Sequence, residues 1–156
     1  MFNNSKLTAW LTSVSRVSSA SLILEDAEGR VLIVKAHYKN YWTFPGGVID
    51  RHETPLQGAV RETREEVGLT VDPATVSFGW VANRTSKQAD TYQFVFRAAL
   101  PADAEARIKL QSSEIEDYAF VTRDEIETQN RHYGKVLFQW VRDARGYVEQ
   151  SFNSDI

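Results

Sequence analysis

The chain has 156 residues, 42% hydrophobic and 25% charged, the balance of one globular domain, which excludes disordered and fibrous classes. Its 18 Lys and Arg against 21 Asp and Glu leave a net charge of −3, so the sequence predicts no broad basic surface for gripping duplex nucleic acid, only room for a local basic pocket. The absence of cysteine excludes disulfides, thiolate metal sites and a cysteine nucleophile and is compatible with the cytoplasm. Apolar runs such as Val31-Leu32-Ile33-Val34 fall far short of the roughly 20 residues of a membrane span, and no signal peptide is read.

In chain order, Leu7, Trp10, Leu11 and Val14 fall at helical spacing and predict a short amphipathic helix that caps the domain or packs on a partner subunit. Two β-rich runs follow, Ala20–Glu25 and Val31–Ala36, and Gly29 between them suits the positive φ of a turn, which predicts a hairpin. Tyr41-Trp42-Thr43-Phe44 reads as a short strand that Pro45-Gly46-Gly47 ends, opening a loop. The next element is the best punctuated, a helix over 55–67 with Thr54 as N-cap, Pro55 at its first position, Gln57 completing a capping box and Gly68 as terminator. Strands are predicted at Thr75–Val81, Thr91–Leu100 and Tyr118–Val121, with Pro101–Leu110 as an exposed connection and Arg123–Thr128 as a helical turn. Val136, Leu137, Trp140, Val141 and Ala144 mark a closing amphipathic helix, and no repeat or linker divides the chain.

Within the helix over 55–67, Leu56, Ala59, Val60, Thr63 and Val67 form one stripe able to face a sheet. Glu62, Glu65 and Glu66 lie on a different side, within an arc of roughly 100°, so their oxygens can converge on one point. Three such carboxylates repel one another unless they are solvated, neutralised by Arg61 and Arg64, or gathered around a hard divalent cation. A charged helix face is ordinarily a solvated one. Gly58 on the acidic side and Pro45-Gly46-Gly47 just before the helix leave room for a ligand and free backbone for close approach, which favours use of the acids.

From Gly47 the chain reads Gly47, five residues, Glu53, seven residues, Arg61-Glu62, Thr63, Arg64, Glu65-Glu66, Val67, Gly68, Leu69, which resembles the Nudix box of the Nudix hydrolases. All seven invariant-type positions match, and at ordinary residue frequencies near 7% a chance match in this chain is on the order of one in a million. The resemblance implies an α/β fold, the family's α/β/α sandwich with a mixed β-sheet, and hydrolysis of a nucleoside diphosphate linked to another group X with Mg²⁺ or Mn²⁺. It implies that Glu62, Glu65 and Glu66 hold the metal, with Glu62 also the base or water orienter, and that the Gly46 carbonyl is a further ligand. Glu53 and Arg61 take the place of the family's structural ion pair. Thr63 departs from the pattern, which prefers a bulky aliphatic residue; its hydroxyl can bond a carbonyl one turn back.

Outside the box, the family often supplies another acidic ligand about six residues before an aromatic-Val strand, which implies Glu114, with Glu116 and Asp117 as alternatives. Lys35 and Arg84 are the candidate phosphate contacts, and Tyr38, Tyr41, Trp42, Trp80, Tyr92 and Phe94 are candidates either to stack on a base or to fill the core. His37, His52 and His132 show no metal-ligand spacing. The family often dimerises, so the resemblance leaves a homodimer open. The rival functions are a Nudix-fold module that binds a nucleotide without turning it over, an isoprenoid diphosphate isomerase, which would need a cysteine this chain lacks, and a protein-interaction domain with exposed acids.

Overall fold

Strand alternation decides which side chains go to which layer. In β1 (Val17–Glu25), Ala20, Leu22 and Leu24 point to one face and Ile23 to the other; in β2 (Val31–Ala36), Leu32, Val34 and Ala36 oppose Val31 and Ile33. In the computed structural model, which describes residues 8–9 and 16–151, each set has its own helical cover. Helix α1 (Pro55–Val67) lays Ala59 and Val67 on the first face. Helices α3 (Arg123–Thr128) and α4 (Lys135–Val141) lay Ile126, Val136, Leu137 and Trp140 on the second, against Phe44, Trp80 and Val95. The result is the expected α/β/α sandwich. The helix predicted from Leu7, Trp10, Leu11 and Val14 lies outside the described residues.

The sheet also contains β3 (Trp42–Thr43), β4 (Gly46–Val48), β5 (Ser77–Thr85), β6 (Thr91–Ala99), β7 (Ile115–Val121) and β8 (Gly146–Ser151). Its order is β3-β2-β1-β6-β5-β8, with β4 paired to β1 and β7 to β2. The pairs β1–β6 and β5–β8 are parallel and the rest antiparallel, so the sheet is mixed as expected.

Helix α1 has its predicted limits. Thr54 Oγ1 accepts the Gln57 N–H, Gln57 Oε1 accepts the Thr54 N–H, and Gly68 ends the helix at φ 74°. Thr63 is fully buried and donates its hydroxyl to the Ala59 carbonyl at 2.8 Å, so the departure from an aliphatic residue leaves no polar atom unsatisfied.

Four expectations need correction. The hairpin is splayed: β1 and β2 pair only at Glu25–Val31, because further along β4 takes that side of β1 at Ser19–Ser21 and β3 takes that edge of β2 at Val34–Lys35, while β7 runs along the opposite edge of β2 from Val31 to Ala36. The Pro45-Gly46-Gly47 loop re-enters the sheet as β4, with Gly46 opposite Ser21 and Gly47 opposite Ala20. The Pro101–Leu110 connection holds a short helix α2 (Ala104–Arg107). The closing helix is followed by β8, an edge strand whose side chains are largely exposed and so show no apolar alternation. Among the described residues no helix is long and apolar enough to cross a membrane.

Candidate active site

Helix α1 crosses β4 where the chain has no side chains. A Cβ on Gly46, at φ 151°, would stand 2.2 Å from the Ala20 carbonyl oxygen, and one on Gly47 would stand 2.6 Å from the Glu62 carboxyl carbon. The two glycines therefore let β4 press on β1 and let Glu62 lie over the strand. One turn on, Glu66 turns inward. It is 2% exposed, and its Oε2 accepts the Gly46 N–H at 2.8 Å. Burial pushes its pKa up to about 8, against the pull of the Gly46 N–H and Lys39, and Glu62 and Glu114 add to the rise. Burial also raises the Glu62 carboxyl; Arg61 opposes that rise, and Glu65 and Glu114 reinforce it.

Arg61 is the hub of the acidic wall. Its Nε and Nη2 donate to the two Glu53 oxygens at 2.9 and 3.0 Å, and Nη2 also donates to the Val48 carbonyl at 3.0 Å. Its Nη1 reaches Glu62 Oε1 at 2.8 Å and Glu65 Oε2 at 3.0 Å. The guanidinium hydrogen bonds hold the Glu53 carboxyl below the usual range. Glu53 and Arg61 thus form a two-point pair between the loop and α1, and the same guanidinium bridges Glu62 and Glu65.

The expected convergence of the three helix acids is only partial. Among the described residues no three metal-ligating side chains form a ready-made cage, because Arg61 holds Glu62 and Glu65 and Glu66 lies beneath the Gly46 amide. Glu66 also belongs to the buried side of α1 and not to a separate acidic face. The space at Gly58 is taken by Glu53, whose Oε2 would lie 3.1 Å from an added Cβ.

A cleft of about 860 Å³ opens in front of these acids, with Glu62, Glu65 and Glu114 on its wall. The Tyr38 hydroxyl donates to Glu114 Oε1 at 3.1 Å. Lys35 is not brought to the cleft: it points to β7 and pairs with Glu116 at 3.2 Å, which takes Glu116 away as well. Asp117 does not line the cleft either, and accepts the Tyr118 N–H at 2.8 Å. Lys39, four residues on in the β2–β3 loop, does enter, and so does Lys135 at the start of α4. Arg84 lines the cleft too, at the end of β5, with Nη2 donating to the side chain of Gln93.

Of the aromatic candidates, Tyr38 and Tyr41 line the cleft. Trp80 is fully buried, Phe94 packs on the α1-side core, Trp42 packs on the other core, and Tyr92 lies under the Arg16 guanidinium. His132 lines the cleft edge-on to Tyr41, with ring centroids 6.3 Å apart. No local spacing could have singled it out, since the loop before α4 meets the β2–β3 loop only in the folded chain.

A NUDIX domain model matches residues 15–141, most of the chain. The chain belongs to the Nudix family. Over 74 residues it is 40% identical to the RNA pyrophosphohydrolase of Psychrobacter cryohalolentis, covering 46% of this chain and 43% of that one. Over 61 residues it is 42% identical to the 8-oxo-dGTP diphosphatase of Proteus vulgaris, covering 36% of this chain and 54% of the other. The chain thus spans about half, or less, of the length of these relatives. The Nudix domain of Shewanella oneidensis NrtR, solved with ADP ribose, superposes with a TM-score of 0.71 over 92% of this chain and 96% of that one, at 13% identity, a likeness of fold.

The acids of this Nudix domain suit a hard divalent cation. Glu62, Glu66 and Glu114 feel one another's charge, their oxygens are hard donors, and among the described residues Arg61, already shared with Glu53, is the guanidinium bonded to Glu62 and Glu65. Glu62, Glu65, Glu66 and Glu114, with the Gly46 carbonyl, are the groups available to hold it.

Proposed function

We propose that the chain is a Mg²⁺- or Mn²⁺-dependent pyrophosphohydrolase that cleaves the phosphoanhydride of a nucleoside diphosphate linked to another moiety. The observation that carries this reading is a buried carboxylate, Glu66, backed by Glu62, Glu65 and Glu114 at the wall of a cleft that also presents Lys39 and Arg84. Acids alone would repel a pyrophosphate. Cations facing them give its oxygens somewhere to go.

Glu62, Glu65 and Glu66 are the metal-holding carboxylates, with the Gly46 carbonyl and Glu114 completing the set. When bound there, a divalent cation supplies neutralisation of the acids and polarisation of the phosphoryl oxygens. Glu62 takes the proton of the attacking water, a task suited to a carboxyl raised by burial. The water oxygen bonds to phosphorus, the bridging P–O bond breaks, and its electron pair leaves with the departing phosphate. Glu53 and Arg61 fix the loop on the helix so that Glu62 stays over Gly47. Arg84 contacts substrate, and Lys39 takes the part the sequence suggested for Lys35. The relatives named pyrophosphohydrolase and diphosphatase support the reaction class.

The test is turnover of a panel of nucleotides and nucleotide sugars by the full chain, with Mg²⁺ and with chelator. Metal-dependent release of phosphate-containing products is expected. Binding without turnover on every member would replace the enzyme with a nucleotide-binding module.

A further inference from the structure

Arg84 is held in an unusual way for a mostly buried guanidinium. Its partner is an amide: Nη2 donates to Gln93 Oε1, and Gln93, itself 5% exposed, donates Nε2 to Ser21 Oγ at 3.0 Å. These side chains share one face of the sheet, since Ala82 and Ser19 both neighbour Gln93 and Arg84 lies two residues beyond Ala82. The amide fixes the orientation of the guanidinium and leaves its charge uncompensated. Among the described residues no carboxylate pairs with Arg84, and its Nε is buried without a hydrogen-bond partner. A desolvated cation in that state is costly unless an anion arrives to meet it.

Lys39 adds a second positive charge to the same cleft. It makes no ion pair within 4 Å among the described residues, and its ammonium lies 5.3 Å from the Tyr38 ring centroid. Burial lowers its pKa; Glu66, Glu114 and Glu62 oppose that shift, while Arg84 adds to it. Arg84 is lowered by burial too, but what opposes the shift there is Tyr41 and not a carboxylate. Lys39 therefore feels both the acids and Arg84. The cleft thus carries Glu62, Glu65 and Glu114 on the same walls as Lys39, Lys135 and Arg84, and among the described residues Arg84 has no carboxylate partner.

We infer that the moiety X on the diphosphate is itself anionic, a phosphate group or chain held by Lys39 and Arg84, with Gln93 as the positioning residue that presents Arg84. This rests on the hydrolase reading above and narrows its substrate class: a nucleoside triphosphate or longer polyphosphate fits the run of charge, and a diphosphate joined to a neutral sugar leaves Arg84 unmet.

The experiment compares matched pairs on the full chain with Mg²⁺, ATP against ADP-ribose and GTP against GDP-mannose, in wild type and in Gln93→Glu. The substitution is isosteric and sets a carboxylate against Arg84, and near-ultraviolet circular dichroism checks that the fold is kept. Wild type is expected to favour the triphosphate by about tenfold or more in kcat/KM, chiefly through KM, and Gln93→Glu to cut that preference at least about fivefold. Equal or better turnover of the sugar diphosphates, or an unchanged ratio in Gln93→Glu, overturns the inference while leaving the hydrolase in place. If none of the four nucleotides is turned over, the hydrolase reading fails, and the dissociation constants of the same four, measured by calorimetry, decide the inference by the same tenfold criterion. A triphosphate that binds no tighter than its sugar partner then sinks it.

Discussion

At the scale of the residue, Glu66 combines a structural bond with a titration far from its ordinary range. Burial holds its carboxyl at about 8 when folded against an ordinary 4.5, so between those pH values the folded chain holds a proton that the unfolded chain releases. Stability of the metal-free protein from this group is therefore greatest at the acid end and falls as pH rises from about 4.5 to about 8. Thermal unfolding followed across that window is expected to show the decline in wild type and a flatter profile in Glu66→Gln. For catalysis, Glu62→Gln is expected to lower metal-dependent turnover by about 100-fold or more with little change in circular dichroism, the scale of a lost general base. Glu114→Ala should raise the Mg²⁺ concentration needed for half-maximal activity more than Glu127→Ala, whose side chain lies on an exposed part of α3. Helical spacing was enough to group Glu62, Glu65 and Glu66, but not to show that Glu66 is the buried one. Which edge of an acidic arc faces the sheet depends on how α1 rolls against β1 and β4, and that is a tertiary quantity.

At the scale of the element, α1 was legible to the residue because its ends are written in local chemistry, the Thr54–Gln57 box and Gly68. Thr54→Ala is expected to cost about 1 kcal/mol in urea unfolding, the usual loss of a capping side chain. The glycine strand is a stricter requirement. Gly46→Ala would drive a methyl into the Ala20 carbonyl and move the amide that bonds Glu66, so turnover should fall with stability and not separately from it. The splayed hairpin was not legible. Period-two alternation tells which face a side chain takes and says nothing of which neighbour a strand chooses, so Ala20–Glu25 and Val31–Ala36 read as partners although they share a single rung. The edge strand β8 escaped for the opposite reason: its mostly exposed side chains carry little apolar signal.

At the scale of the whole molecule, the cleft is assembled from β1, β3, β4, the β2–β3 loop, α1, β5, β6, the loop before β7, α4 with the loop before it, and β8, which explains why the acids of the helix were readable and the cations only in part. Glu62, Glu65 and Glu66 share one helix and one spacing, whereas Lys39 and Lys35 differ only in where the chain turns after β2. Removal of divalent metal by chelator should abolish turnover, and added Mg²⁺ should raise the unfolding temperature of wild type more than that of Glu62→Gln. The parallel pairing of β1 with β6 sets Val17 beside Thr91 and Glu25 beside Ala99. A nascent chain therefore completes β1, β2 and the whole of α1 while the strand that must pair with Leu22, Ile23 and Leu24 is still inside the ribosome. Such distant pairing makes folding slow, on the order of milliseconds to seconds for topologies rich in non-local strand contacts, and leaves an apolar strand exposed to chaperones during synthesis.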